Sequence, residues 1–162
     1  MKKGTFMSRK RQSRLAIIIA MGCLLIFVSI NDAWSVEWVH YGTDPLGNNY
    51  FYSQESVSKV TKTLIKIWTT TVLSDEGRAD LIKTNAKKGI PSAWIVSLNQ
   101  IEHLLYISCE DKRYNLVQST YYAIDGSVLS AIHYDDIWND VNRGSMTAVL
   151  MKTLCKEHAS SK

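Results

Sequence analysis

The N-terminal 35 residues decide the compartment in which the rest of the chain must fold. The first fourteen residues carry six basic and no acidic side chains, and an uncharged apolar run follows from Leu15 to Ile30. A basic segment before a short apolar run is typical of a secretory signal peptide, and Ala33 and Ser35 supply the small residues that signal peptidase requires. Cleavage after Ala33 fits nearly as well as cleavage after Ser35. The pattern predicts that residues 1–35 are a signal peptide.

An uncleaved membrane anchor is the alternative reading of this segment. As a helix, the apolar run would reach about 24 Å, which is short of the roughly 30 Å hydrocarbon core of a bilayer. In both cases the basic flank stays inside, so residues 36–162 face the outside of the inner membrane. We expect them in the periplasm, at the surface or secreted from a Gram-negative cell, with membrane contact only through the signal segment.

The charge of the exported part excludes one class of partner. The whole chain carries 19 basic and 15 acidic side chains, but the first 35 residues hold six of the bases and one acid, Asp32. The remaining 13 bases and 14 acids give a formal net charge of −1, so the net charge of +4 for the whole chain belongs to the signal segment. We therefore expect no nucleic-acid partner. The length from residue 36 onward suits one domain with a hydrophobic core.

Two cysteines follow the signal segment, Cys109 and Cys155. Cys109 ends an apolar, strand-like run, and Cys155 lies on an apolar stripe of a helical pattern, so both side chains should point into the core. In an oxidising compartment they are expected to form a disulfide that joins the last helix to the sheet. Two buried free thiols are the alternative.

The order of apolar runs and turn residues predicts an α+β domain built on an antiparallel sheet of about six strands. Asp125-Gly126 is the pattern of a type I′ hairpin turn. A first, shorter helix should begin after Ser74 with the apolar stripe Ala79, Ile82 and Ala86, and the C-terminal helix should begin after Ser145. The predicted strands are 36–42, 49–53, 63–73, 93–109, 113–124 and 127–134.

Several segments together resemble the surface-adhesin protein E-like domains of Gram-negative bacteria. They are "EWVHYGTDPLGNNYFYSQESV", "IKIWTTTVLSDEGR" and "YISCEDKRYNLVQSTYYAIDGSVL", with Trp138, Ser145 and Cys155 nearer the end. The resemblance covers most of residues 36–162. It implies an exported, curved antiparallel sheet over one or two helices, a disulfide from sheet to C-terminal helix, and a non-enzymatic adhesion or binding role. In this family, the known adhesive partners are host matrix proteins.

A periplasmic hydrolase or metal-binding protein is the alternative function, and it would use the polar segment 133–140. His133, Asp135, Asp136 and Asp140 could form a metal site or an acid/base pair, but they lack a recognised ligand spacing. A solvated loop explains them more simply, because Asp and Asn are favoured in turns. The standard nucleophile, zinc-protease, redox and phosphate-loop motifs are absent from the sequence. We expect no catalytic residues, no metal and no cofactor.

Tyrosines are the strongest candidates for contacts with a protein partner at the envelope or outside the cell. A tyrosine offers a large apolar ring and a polar tip at a low entropic cost. For any one of these tyrosines, an ordinary strand position or a cross-strand pair is the stronger explanation. The possible binding surface comprises Tyr41, Tyr50, Tyr52, Tyr121 and Tyr122.

Overall fold

The computed structural model describes residues 36–87 and 93–159. The predicted signal peptide and the predicted end of the first helix near Lys88 lie outside these residues. The helices are α1 (Asp75–Lys87) and α2 (Met146–Ala159), and a 3₁₀ turn covers Ile95–Ser97. The strands are β1 (Trp38–Thr43), β2 (Asn49–Ser53), β3 (Ser58–Lys59), β4 (Leu64–Val72), β5 (Leu98–Ser108), β6 (Arg113–Ala123), β7 (Val128–His133) and β8 (Trp138–Asp140).

The strands form one open antiparallel sheet in the order β1-β2-β4-β5-β6-β7. β3 pairs with β4 beyond the end of β2, and β8 pairs with β6 beyond the end of β7. The prediction of an α+β antiparallel sheet with two helices is confirmed, and the two additional strands are both short. No helix in the described part of the chain is long and apolar enough to span a bilayer.

One face of the central strands carries the main hydrophobic core. Alternate residues of a strand point to the same face, so Ile65 and Ile67 of β4 meet Leu105 and Ile107 of β5 on that face. α2 covers them with a further three side chains. These are Leu150, Met151 and Leu154, all of them buried.

A second, smaller core lies under α1. It consists of Leu73, Ile95 and Leu98, with Leu81 and Ile82 of α1 packed against it. Part of the predicted α1 stripe was therefore wrong, because Ala79 and Ala86 are exposed and Leu81 takes their place. α1 contributes few buried side chains, which fits its weak apolar periodicity.

Serines begin both helices, as predicted. The Ser74 hydroxyl accepts a hydrogen bond from the Gly77 amide (2.8 Å), and the Ser145 hydroxyl accepts one from the Ala148 amide (3.2 Å). The side chain of each serine therefore caps the first turn of its helix, and the Ala148 amide also donates to the Ser145 carbonyl (3.0 Å). The segment before β5 differs from the prediction, since residues 95–97 form a 3₁₀ turn and the strand starts at Leu98.

The turn between β6 and β7 also differs from the prediction. A type I′ turn needs positive φ at both central residues, but in this loop only Gly126 has it (φ +81°). The Gly126 amide donates to the Ala123 carbonyl (3.0 Å), and the Ala123 amide donates to the Ser127 carbonyl (2.8 Å). The loop is therefore a turn followed by a glycine in the left-handed region, and the Asp125 carboxylate accepts from the Ser127 amide (2.9 Å).

Candidate binding surfaces

Tyr41, Tyr50 and Tyr52 come together on the helix-covered face of β1 and β2. The ring centroid of Tyr41 lies 6.0 Å from that of Tyr50 and 6.2 Å from that of Tyr52. A register shift in β1 between His40 and Gly42 leaves Tyr41 without a paired residue on β2. A bulge re-aims a side chain, and here the Tyr41 ring packs against the main core.

Tyr41 and Tyr50 line a cleft between the sheet and the first turn of α2. The cleft has a volume of about 200 Å³. Met146 and Leu150 of α2 form one apolar wall, and Leu105 of β5 forms part of the floor. We call this site the tyrosine cleft. Its polar lining consists of Tyr41, Tyr50, Thr69, Thr71, His103, Tyr114 and Thr147.

His103, Tyr41 and Tyr50, which line the tyrosine cleft, are uncharged at neutral pH. Burial lowers the pKa of His103 to about 4, and its Nδ1 forms a 2.7 Å hydrogen bond with the Ser119 hydroxyl. Burial, followed by the proximity of Tyr50, raises the pKa of Tyr41 well above its usual value. Burial and then the hydrogen bond to Asp44 raise the pKa of Tyr50 to about 12. A cleft lined by these three uncharged groups favours an uncharged side chain.

Asp44 fixes the hairpin that presents Tyr50. One carboxylate oxygen accepts from the amides of Leu46 (2.9 Å) and Asn48 (3.0 Å), and the other accepts from the Asn48 side chain (2.8 Å) and the Tyr50 hydroxyl (2.9 Å). Burial raises the pKa of Asp44, but these hydrogen bonds outweigh it, first those from Asn48, so that the net pKa is lowered. The ionised carboxylate is therefore the form that holds the loop.

The other three predicted tyrosines do not line the tyrosine cleft. Tyr52 is only 6% exposed and belongs to the main core, so it offers a partner almost no surface. The Tyr121 ring stacks edge-on against Trp94 at 5.6 Å, beside the second core. Tyr122 is the next residue of the same strand and donates a hydrogen bond to Glu102 (2.9 Å). The five tyrosines thus do not form one continuous patch.

The acidic segment 133–140 makes structural contacts. The Asn115 side chain donates to Asp136, and Arg113 pairs with Asp140 at 3.3 Å. His133 and Asp135 are exposed. Among residues 36–87 and 93–156, no three His, Cys, Asp or Glu side chains are placed to hold a metal ion. The alternative function has no supporting arrangement in this part of the chain.

Thr69, Thr71 and His103 are the cleft residues that sequence reasoning missed. Thr69 and Thr71 are buried, although they belong to a run of three threonines. They lie on the same face of β4 as the apolar Ile65 and Ile67, two and four positions beyond Ile67 along the strand, and this period of two was the available signal. His103 lies opposite Thr69 and Ser119 in the sheet, a pairing that depends on strand register.

Comparison with known proteins identifies the family. Residues 38–156 match the surface-adhesin protein E family. This chain belongs to that family. Membership supports the role of a surface adhesin and suggests a non-enzymatic protein at the cell surface or outside the cell. No curated protein matches the chain.

Two solved structures of protein E from Haemophilus influenzae are similar to this member of the family. The crystal structure of protein E from the non-typeable bacterium has 8% sequence identity and a TM-score of 0.47, and the match covers 81% of this chain and 82% of that one. The selenomethionine form has the same identity and TM-score, with 79% of this chain and 94% of that one covered.

Proposed function

We propose that residues 36–162 form an exported, non-enzymatic adhesion module that binds a protein outside the cell. The observation that carries this proposal is the family match over residues 38–156. Host matrix proteins are the partner class that the resemblance implies. The domain would act after removal of the signal peptide over residues 1–35.

The Cys109–Cys155 disulfide supports export. Disulfides form and persist in the periplasm and outside the cell, whereas thiols stay reduced in the cytosol of most bacteria. The bond joins the end of β5 to α2. The fold is therefore cross-linked by a covalent bond that persists in the oxidising environment outside the cytosol. The location proposed is therefore the periplasm, the cell surface or the medium.

Tyr41 and Tyr50 are the proposed ligand contacts. Their rings and the wall formed by Met146 give an apolar lining, while the threonine hydroxyls offer hydrogen bonds. A volume of about 200 Å³ accommodates one large side chain of a partner. We expect that side chain to be uncharged, because a charged group would lose its hydration without meeting an opposite charge in the cleft.

The test is binding of purified residues 36–162 to a panel of purified extracellular-matrix proteins on an optical biosensor. The proposal predicts saturable binding to at least one of them. An unrelated exported domain of similar size is the control for non-specific capture. Absence of saturable binding, both to the panel and to intact host cells, would contradict the adhesive role.

Two tyrosine variants then locate the contact surface. Tyr50→Ala should weaken the measured affinity about tenfold or more, as is usual for a buried aromatic contact. Tyr122→Ala is the matched control, because Tyr122 hydrogen-bonds Glu102 away from the cleft. Both variants need melting temperatures that show intact folding. Equal affinity of Tyr50→Ala and the unmodified domain would exclude the tyrosine cleft as the contact surface.

A further inference from the structure

A second concave surface lies beside α2, next to the disulfide. It is a groove of about 460 Å³ between α2 and the segments that carry Lys112 and Val141. Val141, Ala148, Met151 and the Cys109–Cys155 bond supply its apolar lining. We call it the disulfide groove. It differs from the tyrosine cleft, because successive helix residues are rotated by about 100° and the two sites use different sides of α2.

The rim of the disulfide groove is basic. Lys112, Arg143 and Lys152 line it, together with Lys156, and none of the lining residues that the structure describes is acidic. Lys112, Arg143 and Lys152 form no ion pair with any residue that the structure describes. The exported part of the chain has a formal net charge of −1, so this concentration of cations is a local feature and not a consequence of overall composition.

The walls of the groove are held in place before any ligand arrives. The disulfide joins the turn after β5 to α2, with a Cα–Cα distance of 5.7 Å. On the other side, the Val141 amide donates to the Lys112 carbonyl (3.1 Å). A preformed site loses less conformational entropy on binding than a site that must be ordered.

We propose that the disulfide groove binds an acidic segment of a protein partner, with carboxylates meeting the basic rim and an apolar side chain entering the groove. Charge complementarity selects the carboxylates and also accelerates encounter. The apolar lining selects a segment in which apolar and acidic residues are mixed. The inference rests on the proposed function for the identity of the partner, but its chemistry can be tested without that partner.

An anionic membrane surface fits this geometry less well. Membrane docking uses apolar side chains that project from the protein into the headgroup region. Here the apolar residues are recessed: Met151 is 9% exposed, and Val141 and Ala148 are partly buried between the basic residues. A concave apolar surface accepts a side chain that projects from the partner. A peptide segment therefore suits the groove better than a bilayer does.

The probe is a synthetic, fluorescently labelled decapeptide of alternating glutamate and leucine, added to oxidised residues 36–162. Fluorescence anisotropy measures affinity, and NMR amide shifts locate the contact. We expect binding that weakens with added salt, with shifts confined to residues around 109–112, 141–143 and 148–156. Two comparison peptides, one with serine for leucine and one with lysine for glutamate, should bind about tenfold more weakly or not at all.

Charge reversal on the rim provides the matched variants. Lys152→Glu and Arg143→Glu should each lower the affinity of the domain for the Glu-Leu peptide about tenfold. Lys59→Glu changes the same charge on β3, away from the groove, and should leave the affinity unchanged. These side chains are exposed, so all three variants should keep the melting temperature of the unmodified domain.

Three outcomes would overturn the inference. The first is equal affinity of the Lys152→Glu and Lys59→Glu variants for the Glu-Leu peptide. The second is that the unmodified domain binds the serine-substituted peptide as tightly as the Glu-Leu peptide. The third is displacement of the peptide by vesicles of phosphatidylglycerol and phosphatidylcholine, which would assign the groove to a membrane. Matrix binding that persists when the peptide fails would refute the groove alone, whereas peptide binding without any matrix binding would refute only the proposed function.

Discussion

The side chain of Asn48 accepts a hydrogen bond from the backbone amide of Ser74 at 2.9 Å. Asn48 is 6% exposed, and its amide group also donates to Asp44. Ser74 in turn caps α1 through the Gly77 amide. The buried side-chain amide of Asn48 therefore links the hairpin that presents Tyr50 to the start of α1. It leaves no room for a side chain at Gly77.

Gly77→Ala should destabilise the domain even though alanine is the better helix former. A Cβ atom at Gly77 would overlap the Asn48 Oδ1 atom and lie 2.6 Å from its Cγ atom. Urea denaturation should show that the substitution lowers the free energy of unfolding by about 2 kcal/mol. Helix propensity alone, without the overlap, would raise it by roughly 1 kcal/mol. In an Asn48→Ala background the loss should shrink, since the overlap is gone.

Gly42→Ala is the control for this prediction. Its Cβ atom would meet only the terminal methyl of Met146, which is the end of a flexible side chain. The loss there should be smaller than at Gly77. A larger loss at Gly42 would mean that the Asn48 contact does not limit the space at the start of α1.

Breaking the disulfide should lower the melting temperature. Cys109 and Cys155 are 46 residues apart, and a cross-link of that span contributes about 4 kcal/mol by restricting the unfolded chain. Cys109→Ala, Cys155→Ala and the double variant should each melt roughly 10 to 15 °C lower than the oxidised domain. Melting temperatures equal to that of the oxidised domain would refute a stabilising role for the bond.

The partly buried His103 should make the domain sensitive to acid. Its pKa is about 4 in the folded protein, against about 6.5 in the unfolded chain. Below pH 6.5 the unfolded state therefore binds a proton that the folded state does not. The free energy of unfolding should fall as the pH drops from about 6.5 to about 4, by about 3 kcal/mol from this group.

His103→Gln isolates this effect. The variant keeps a side chain that can hydrogen-bond Ser119, and it leaves His40, His133 and Asp44 unchanged. Urea denaturation at several pH values should give a flatter profile for the variant between pH 6.5 and 4. Parallel profiles for the two proteins would show that His103 titrates normally.

The acidic segment 133–140 should bind no metal. Elemental analysis of the purified domain is expected to find no stoichiometric divalent cation, and Asp135→Asn should leave matrix binding unchanged because Asp135 is exposed. Asp136→Asn would weaken the contact with Asn115 and so probes structure only. A bound metal that is lost in Asp135→Asn would revive the metal-binding alternative.

Local patterns predicted the elements of this fold well, because periodicity and capping are properties of neighbouring residues. Such signals located the helix caps Ser74 and Ser145 and the strand "NYFYS" (49–53). The disulfide was predicted from the expected oxidising compartment and from the inward-facing positions of Cys109 and Cys155. β3 could not be predicted, because two residues carry no periodicity and Ser58 is in a strand only through its pairing with Lys66.

The binding surfaces were harder to predict for a related reason. Tyr41 reaches the cleft because a register shift in β1 separates it from the strand ladder, and the sequence does not mark a bulge of this kind. The basic rim of the disulfide groove brings together Lys112, Arg143 and Lys152 from a turn, a loop and a helix. Only the folded arrangement shows that these cations share one groove.

If this chain is an exported adhesin, as proposed, intact cells that carry it should attach to host matrix proteins. Cells with and without the protein are compared for attachment to immobilised matrix proteins, and a membrane-impermeant label reports exposure of the protein. We expect the labelled chain to begin near Val36, and attachment to fall when the protein is removed and to return when it is restored. Equal attachment of both cell types, with an unlabelled full-length chain, would refute export and adhesion together.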